Sequence, residues 1–305
     1  MLRYTDITGA VVDKVQTAVD RLKAFEPEDG YYVAFSGGKD SQCIYHLCQR
    51  AGVKFDAHYR VTSVDPPELV RFIKEQYPDV EIEFPRDDDG KVITMWGLIP
   101  LKKMPPTRIV RYCCKSLKES GGKGRVTVTG VRWAESQRRK ENQGMVTVIG
   151  KSGKTAVMEH SPDFIQTVRG GVVLNYDDAA TRRVVEQCFR TAKVVVNPIV
   201  DWEDEDVWEY LNDVERVPHC ELYDRGYKRL GCIGCPMSTN AAAELDAYPK
   251  YKANYLRAFD RMLKSRNEAG LTNDDWDSAQ DVMDWWLGKS KIERPIDGQI
   301  DLWEE

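Results

Sequence analysis

Apolar positions recur along this chain with two alternating periods, and that alternation predicts most of its elements. Val11, Val12, Val15, Val19 and Leu22 fall at helical spacing and predict a first amphipathic helix. Tyr31 to Phe35 is a short unbroken apolar run, as expected of a strand buried on both faces. Beyond Ser-Gly-Gly-Lys-Asp-Ser the pattern turns helical, with Ile44, Leu47 and Cys48 on one face and Gly52 as C-cap. Val53 to Tyr59 predicts a second strand, and Pro66 and Pro67 suit the first turn of a helix stopped at Pro78. Val80 to Phe84 predicts a third strand, Met95 to Leu101 a short helix, and residues 107–119 a helix ended by Gly121 and Gly122. Arg125 to Thr129 and Lys193 to Val200 read as strands, and Asp204 to Leu211 as a helix with Val207, Trp208 and Leu211 inward.

Strands alternating with helices predict an α/β fold, a doubly wound, mostly parallel, Rossmann-like sheet. The texture changes between about 141 and 190: MVTVIGKSGKTAVM predicts a hairpin turning at Ser152-Gly153, and Gly171 to Tyr176 another strand. That is a β-rich insertion on the sheet domain. From Ala241 the pattern is helical, with Tyr251, Tyr255, Phe259, Met262 and Leu263 as one core stripe and Val282, Met283, Trp285 and Trp286 as another. The expected organisation is an α/β domain over residues 1–240, with a helical C-terminal region over 241–305 packed on it.

Composition narrows the class. The chain has 305 residues, 42% of them apolar and 30% charged, which is ordinary for a soluble globular protein. No apolar run approaches the roughly 20 residues that span a bilayer, and MLRYTDITGA lacks the apolar core of an export signal. A cytoplasmic location with no membrane partner is expected. The net charge of −5 argues against general nucleic-acid coating but leaves room for a local basic groove. Eight cysteines in such a chain suit a reducing compartment, where thiols serve metal or redox chemistry. Cys43, Cys48 and Cys188 lie in helical stretches and are expected in the core. Cys113, Cys114, Cys220, Cys232 and Cys235 stand apart.

The stretch Ser36-Gly37-Gly38-Lys39-Asp40-Ser41 joins a strand to a helix. Its glycines can take positive φ and carry no Cβ, so their N–H groups and the helix N-terminus can converge on a phosphate. Ser36 and Ser41 add hydroxyls and Lys39 a positive charge, in a loop expected to be solvated. A Walker A loop has a longer glycine-to-lysine spacing. The bland alternative is a polar turn. In doubly wound sheets ligands sit beyond the carboxyl ends of the strands, where this loop falls. Gly130 and Arg132 follow another strand end, and an arginine there can pair with phosphate or sulfate oxygens. Glu135, Arg138 and Arg139 come after, with a solvated helix start as the alternative. Asp40 suits either a magnesium contact or the helix N-terminus. Asp65, after the second strand, is a candidate for holding the ribose or the loop, and His58 sits at a strand end.

Cys232-Ile-Gly-Cys235 places two thiols in a glycine turn, as in a zinc half-site, a redox dithiol or part of an iron–sulfur site. Adjacent Cys113 and Cys114 diverge by about 100° on a helix, which suits a larger four-iron cubane better than tetrahedral zinc. Cys220 makes a fifth candidate, Lys115 could balance cluster charge, and zinc or free thiols remain alternatives.

SGGKDS resembles the PP-loop of the adenine-nucleotide α-hydrolase superfamily, whose members grip a pyrophosphate or sulfate group. With VDPPELVRFI, RYCCKSLK, VTGVRWAESQRR, NPIVDWEDEDVWEYL and LYDRGYKRLGCIGCP in order, the chain resembles the phosphoadenosine-phosphosulfate (PAPS) reductase family over residues 30–238. The resemblance implies an adenine-nucleotide α-hydrolase-like fold. Together with the strand-end positions, it leads to a nucleotide expected at Ser36, Gly37, Gly38, Lys39, Asp40, Ser41, Asp65, Gly130 and Arg132, with Lys39 and Arg132 catalytic. Assimilatory adenylylsulfate (APS) reductases carry a 4Fe-4S cluster on a CC pair and a CxxC, which implies Cys113, Cys114, Cys232 and Cys235. The similar sulfur enzymes of phosphorothioate DNA modification leave room for Cys220 in place of one of the pair Cys113 and Cys114.

There are two departures. The reductases attack sulfate sulfur with a cysteine in a Glu-Cys-Gly-rich tail, whereas residues 236–305 hold no cysteine, and an insertion of about fifty residues precedes Cys232. The expected activity is therefore that of an ATP pyrophosphatase-type sulfur transferase, using ATP and Mg2+ to adenylate an acceptor for sulfur incorporation. Its sulfur would come from a donor such as a cysteine desulfurase. The acceptor is open among a nucleic-acid phosphate or base and a small metabolite, and a homodimer is compatible. The alternatives are an APS or PAPS reductase whose cysteine is supplied in trans, and a nucleotide- or redox-sensing subunit without turnover.

Overall fold

The structure, a computed structural model, describes residues 1–149, 165–166, 172–174, 193–271 and 276–289. Along the chain come β1 (Arg3–Thr5), β2 (Val11–Asp13), α1 (Lys14–Ala24), β3 (Tyr31–Ala34), α2 (Lys39–Ala51), β4 (Phe55–Arg60), α3 (Pro67–Gln76) and β5 (Glu81–Glu83). Next are α4 (Met95–Lys102), β6 (Thr127–Val128), α5 (Gln137–Asn142), β7 (Val146–Ile149), β8 (Ile165–Gln166), β9 (Val172–Leu174) and β10 (Lys193–Val196). The last are α6 (Asp204–Glu209), α7 (Ala241–Ala247), α8 (Pro249–Glu268) and α9 (Ala279–Trp286).

The chain divides into two compact units, each with its own apolar core. The first takes Met1–Val61, Asp65–Phe84 and Lys118–Gly231. Its sheet runs β5-β4-β3-β6-β10-β7-β9-β8. The five strands from β5 to β10 pair in parallel. Tyr31, Val33, Val128, Val194 and Val196 are buried, which is why these strands read as apolar runs without alternation. The expected α/β architecture with a mostly parallel sheet is present. Chain order departs from β3 in both directions, to β4 and β5 on one side and to β6 and β10 on the other. The carboxyl end of β3 is therefore the topological switch point.

The described strands of the 141–190 stretch, β7, β8 and β9, extend this same sheet in antiparallel pairing. The turn expected at Ser152-Gly153 and Cys188 lie outside the described residues. The first helix begins at Lys14 rather than Val11, because Val11–Asp13 pairs with Arg3–Thr5 in a small hairpin. β-Branched residues fit a pleated ribbon at least as well as a helix.

The second unit takes Thr62–Val64, Pro85–Leu117 and the chain from Cys232 onward. Its core joins Leu98, Ile99, Tyr112, Leu117, Ile233 and Leu245 to Tyr255, Phe259, Met262, Val282 and Met283. The aromatic stripe of α8 is thus core, as its period predicts. Because the C-terminal helices share that core with residues 85–117, the chain divides at Gly231 and not at residue 240. The helix expected over 107–119 is shorter. Thr107 accepts the Val110 N–H at 2.9 Å in a local turn, and Cys114–Lys118 winds as a π-helical turn. Among the described residues no helix is long and apolar enough to cross a membrane.

Asp206 pins α6 to the start of α1. Its fully buried carboxylate bonds Lys14 Nζ and accepts the Glu203 N–H at 2.8 Å. Burial raises its pKa, but these bonds outweigh burial and leave it below 3.8. A depressed folded pKa contributes stability that is present above about pH 4 and lost as pH falls through the folded value. Asp206→Asn should lower the unfolding free energy by about 3 kcal/mol at pH 7. In urea titrations across pH the deficit should shrink below about pH 4.

Candidate functional site

The chain leaves β3 and enters α2 through Ser36, Gly37 and Gly38. Gly37 has φ +71°, and a Cβ there would lie 2.7 Å from Leu69 and Ile73 on α3, so glycine is required twice over. Gly38 is different. Its φ is −80°, and a Cβ would meet nothing nearer than the Tyr223 hydroxyl at 3.5 Å. Neither backbone nor packing demands glycine at 38, and what its absent side chain leaves clear is the approach to the start of α2. That helix has 13 residues and no side-chain cap, and the Lys39 N–H donates to Tyr223 Oη at 2.8 Å. Its positive end therefore faces the open loop. Ser41 Oγ turns back to Gly38 O at 2.8 Å and accepts from the exposed Ser36 hydroxyl at 3.3 Å, tying the turn.

Lys39 is not solvated as expected. It is 4% exposed, with Nζ 3.0 Å from Asp204 Oδ1 and 3.8 Å from Asp40 Oδ1. Arg132 is 1% exposed; Nε donates to Asp40 Oδ1 at 2.7 Å, Nη2 to Asp204 Oδ1 at 2.5 Å and Nη1 to Trp202 O at 3.2 Å. The loop after β6 is pressed onto α2, since a Cβ on Gly130 would lie 2.7 Å from Asp40 O. Burial raises the Asp204 pKa, but hydrogen bonds from Lys39 and Arg132 outweigh it and hold the carboxyl below its usual range. Burial likewise lowers the Arg132 pKa, and the charges of Asp40 and Asp204 outweigh it.

The fold thus brings Lys39, Asp40, Gly130 and Arg132 together, and adds Asp204. Sequence reasoning missed that residue, whose signal was an acid opening the helix that follows β10 in DWEDEDVW. Asp65 is buried between β4 and α3. Glu135 binds Arg139, accepts the Arg132 N–H at 3.2 Å and lies 3.3 Å from Arg229, while Arg138 is exposed. His58 is packed within the sheet, stacked on Tyr32 at 4.2 Å with Asp56 and Glu83 at its ring nitrogens.

Four of the five candidate cysteines belong to the second unit. The Cys113 thiol is pushed up first by a hydrogen bond with Cys114, then by burial and by the charges of Cys114 and Cys232. Arg111 Nη2 donates to Cys114 Sγ at 3.3 Å, and Cys232 Sγ lies 3.5 Å from Thr62 Oγ1. Gly234, at φ +67°, turns the CxxC, and Tyr255 Oη donates to Ile233 O at 3.0 Å. Burial raises the Tyr255 hydroxyl, helped by Cys232, Cys235 and Cys113 around it. Cys220 is fully buried in the core of the first unit. Among the described residues no group of three or more His, Cys, Asp or Glu side chains is placed to hold a single metal ion. Four thiols sharing one unit, with polar partners at two of them, fit the donor chemistry of a thiolate-bound iron–sulfur cluster.

Residues 30–238 match the family model described as the phosphoadenosine phosphosulfate reductase domain. The chain belongs to this family. All the nucleotide-site candidates and all five candidate cysteines lie within this PAPS reductase domain. Membership supports a nucleotide-using, sulfonucleotide-related function. The uncharacterized protein MJ0973 of Methanocaldococcus jannaschii is 26% identical over 79% of this chain and 49% of its own length. The chain therefore spans about half of that relative. The adenosine 5'-phosphosulfate reductase of Oceanobacillus iheyensis is 36% identical over 19% of this chain and 23% of its own. A solved phosphoadenylyl-sulfate reductase from Candida auris, in a phosphate complex, has TM-score 0.40 at 16% identity, over 71% of this chain and 88% of that one.

The two loop glycines of this PAPS reductase domain that meet α2 should respond differently to a methyl group. Gly130→Ala should destabilise by about 1–3 kcal/mol through overpacking on Asp40. Gly38→Ala should change stability by less than about 0.5 kcal/mol. Urea midpoints of the two variants check this.

Proposed function

We propose that this domain is an ATP pyrophosphatase-type sulfur transferase, which adenylates an acceptor oxygen that sulfur then replaces. The observation that carries the reading is the loop at the switch point, a helix start whose N-cap, Gly38, carries no side chain over it and which is backed by Lys39. In the reaction the acceptor oxygen attacks the α-phosphorus and the α–β bridging bond breaks. Pyrophosphate then leaves with the electron pair, and the sulfur nucleophile later expels AMP. The amides opening α2, with Lys39 and substrate-bound Mg2+, would neutralise charge growing on the leaving group. Arg132, engaged by two carboxylates, would act by holding Asp40 in place at the start of α2.

Cys113, Cys114, Cys232 and Cys235 would hold a 4Fe-4S cluster, which when bound supplies electrons or an iron for sulfur. Arg111 and Thr62 would donate to the thiolates of Cys114 and Cys232. The sulfur would come from a donor such as a cysteine desulfurase.

A second reading is favoured by the APS reductase relatives. Sulfate reduction needs an attacking thiolate and a second thiol to release sulfite. Outside the group of four, the described cysteines Cys43, Cys48 and Cys220 are buried, so this reading needs an attacking thiol from outside the described residues.

Purified protein with ATP, Mg2+ and acceptor should release pyrophosphate, and Lys39→Ala should reduce the rate by about 100-fold, the scale of a lost charge-stabilising donor. Unchanged ATP binding and turnover in that variant would remove the main support for the phosphate loop. Sulfite release from adenylylsulfate by the chain alone would select the reductase reading.

Anaerobically isolated protein should carry about four iron and four sulfide per chain. Cys232→Ser or Cys235→Ser should abolish the brown colour, and Cys220→Ser should keep it. One equivalent of zinc without acid-labile sulfide would sink the cluster assignment.

A further inference from the structure

The two buried cations of the loop share one exposed carboxylate. Asp204 Oδ1 lies 3.0 Å from Lys39 Nζ and 2.5 Å from Arg132 Nη2. The side chains of Lys39 and Arg132 are 5% and 1% exposed, and that of Asp204 is 61% exposed. An anion arriving from solvent meets the carboxylate before it meets either cation. Asp40, on the other side of Arg132, completes two positive and two negative charges, so the loop as it stands is electrically neutral. Its remaining attraction for a phosphate is the open helix start.

Asp204 is also placed to leave. Lys39 and Arg132 are the partners of its carboxylate among the described residues. Its helix is anchored independently, through Asp206 on Lys14 and on the Glu203 N–H. A side-chain rotation can therefore free both cations without moving α6.

We propose that Asp204 is an internal anion that occupies the phosphate position of the loop and sets its charge specificity. This rests on the reading that the loop binds phosphate. An entering group must carry more charge than the carboxylate it displaces. A terminal phosphate carries about −1.5 to −2 at pH 7 and wins that exchange. The phosphate and sulfate groups of adenylylsulfate carry one negative charge each and exchange like for like. Asp204 thus favours a polyphosphate end over a sulfonucleotide.

Titration calorimetry with ADP and with adenylylsulfate, which share the adenosine and differ in the charge of the terminal group, on wild type, Asp204→Asn, Asp204→Glu and Lys39→Ala, tests this. Wild type should prefer ADP. Asp204→Asn should bind both anions more tightly, with adenylylsulfate gaining most, by about tenfold on the scale of a charged hydrogen bond, and the preference should narrow. Asp204→Glu keeps a carboxylate and should keep the wild-type preference, with Lys39→Ala weakening both anions. Weaker ADP binding by Asp204→Asn, or an unchanged preference, would show that Asp204 orders the cations rather than competing for them, and would overturn the proposal. If wild type binds neither anion and Lys39→Ala matches it, the phosphate-loop reading itself falls and the proposal falls with it.

Discussion

A guanidinium keeps its charge and is costly to bury without partners, and Arg132 satisfies that constraint by drawing three separate parts of the chain onto one point. Asp40 comes from the first turn of α2, Asp204 from the first turn of α6, and Arg132 itself from the exit of β6. Taking a charge out of water costs several kcal/mol per ion, and losing one partner would leave another charge buried alone. The buried Arg132–Asp40 half of the arrangement therefore tolerates little slack. Gly130 is the steric complement of this clamp, since any side chain there would push the arginine loop off the Asp40 backbone.

The clamp matters because of where the sheet puts it. From β3 the chain adds β4 and β5 on one side and then β6 and β10 on the other, so the carboxyl end of β3 opens into a gap between loops rather than under a crossover. Gly37 brings the turn against α3, and Gly38 leaves the start of α2 accessible. A helix N-terminus attracts an anion whatever its identity. Discrimination has to come from the charged side chains beside it, and here these sum to zero. Affinity at such a site depends on which charge can be displaced, and Asp204 is the exposed one.

The second unit solves a different problem. A π-helical turn at Cys114–Lys118 and a positive-φ glycine at 234 orient two pairs of thiols that lie far apart in sequence. What gathers them is apolar packing around Tyr255, whose hydroxyl ties to the backbone of the CxxC turn. Thiols that crowd one another resist ionisation, as the raised Cys113 pKa shows, and a bound cation would reverse that preference.

The sequence by itself determined the features whose physics is local. Alternating strand and helix periods specified the α/β sheet, the glycines specified the turn after β3, and the aromatic stripe of α8 specified a buried face. The CC and CxxC spacings marked the thiols of the second unit. Contacts between residues distant in sequence were decided by the tertiary structure alone. The pairing of Val11–Asp13 with Arg3–Thr5 overrode a helical period. The lysine of a polar, glycine-rich loop became a buried ion-paired group because Asp204, 165 residues away, closes over it. The same aspartate reaches Arg132 across 72 residues. Cys220, twelve residues before Cys232, entered the core of the other unit. Periodicity and turn chemistry say which face of an element is buried and where the chain reverses. They carry no information on which charges meet, because pairing depends on where the fold returns the chain.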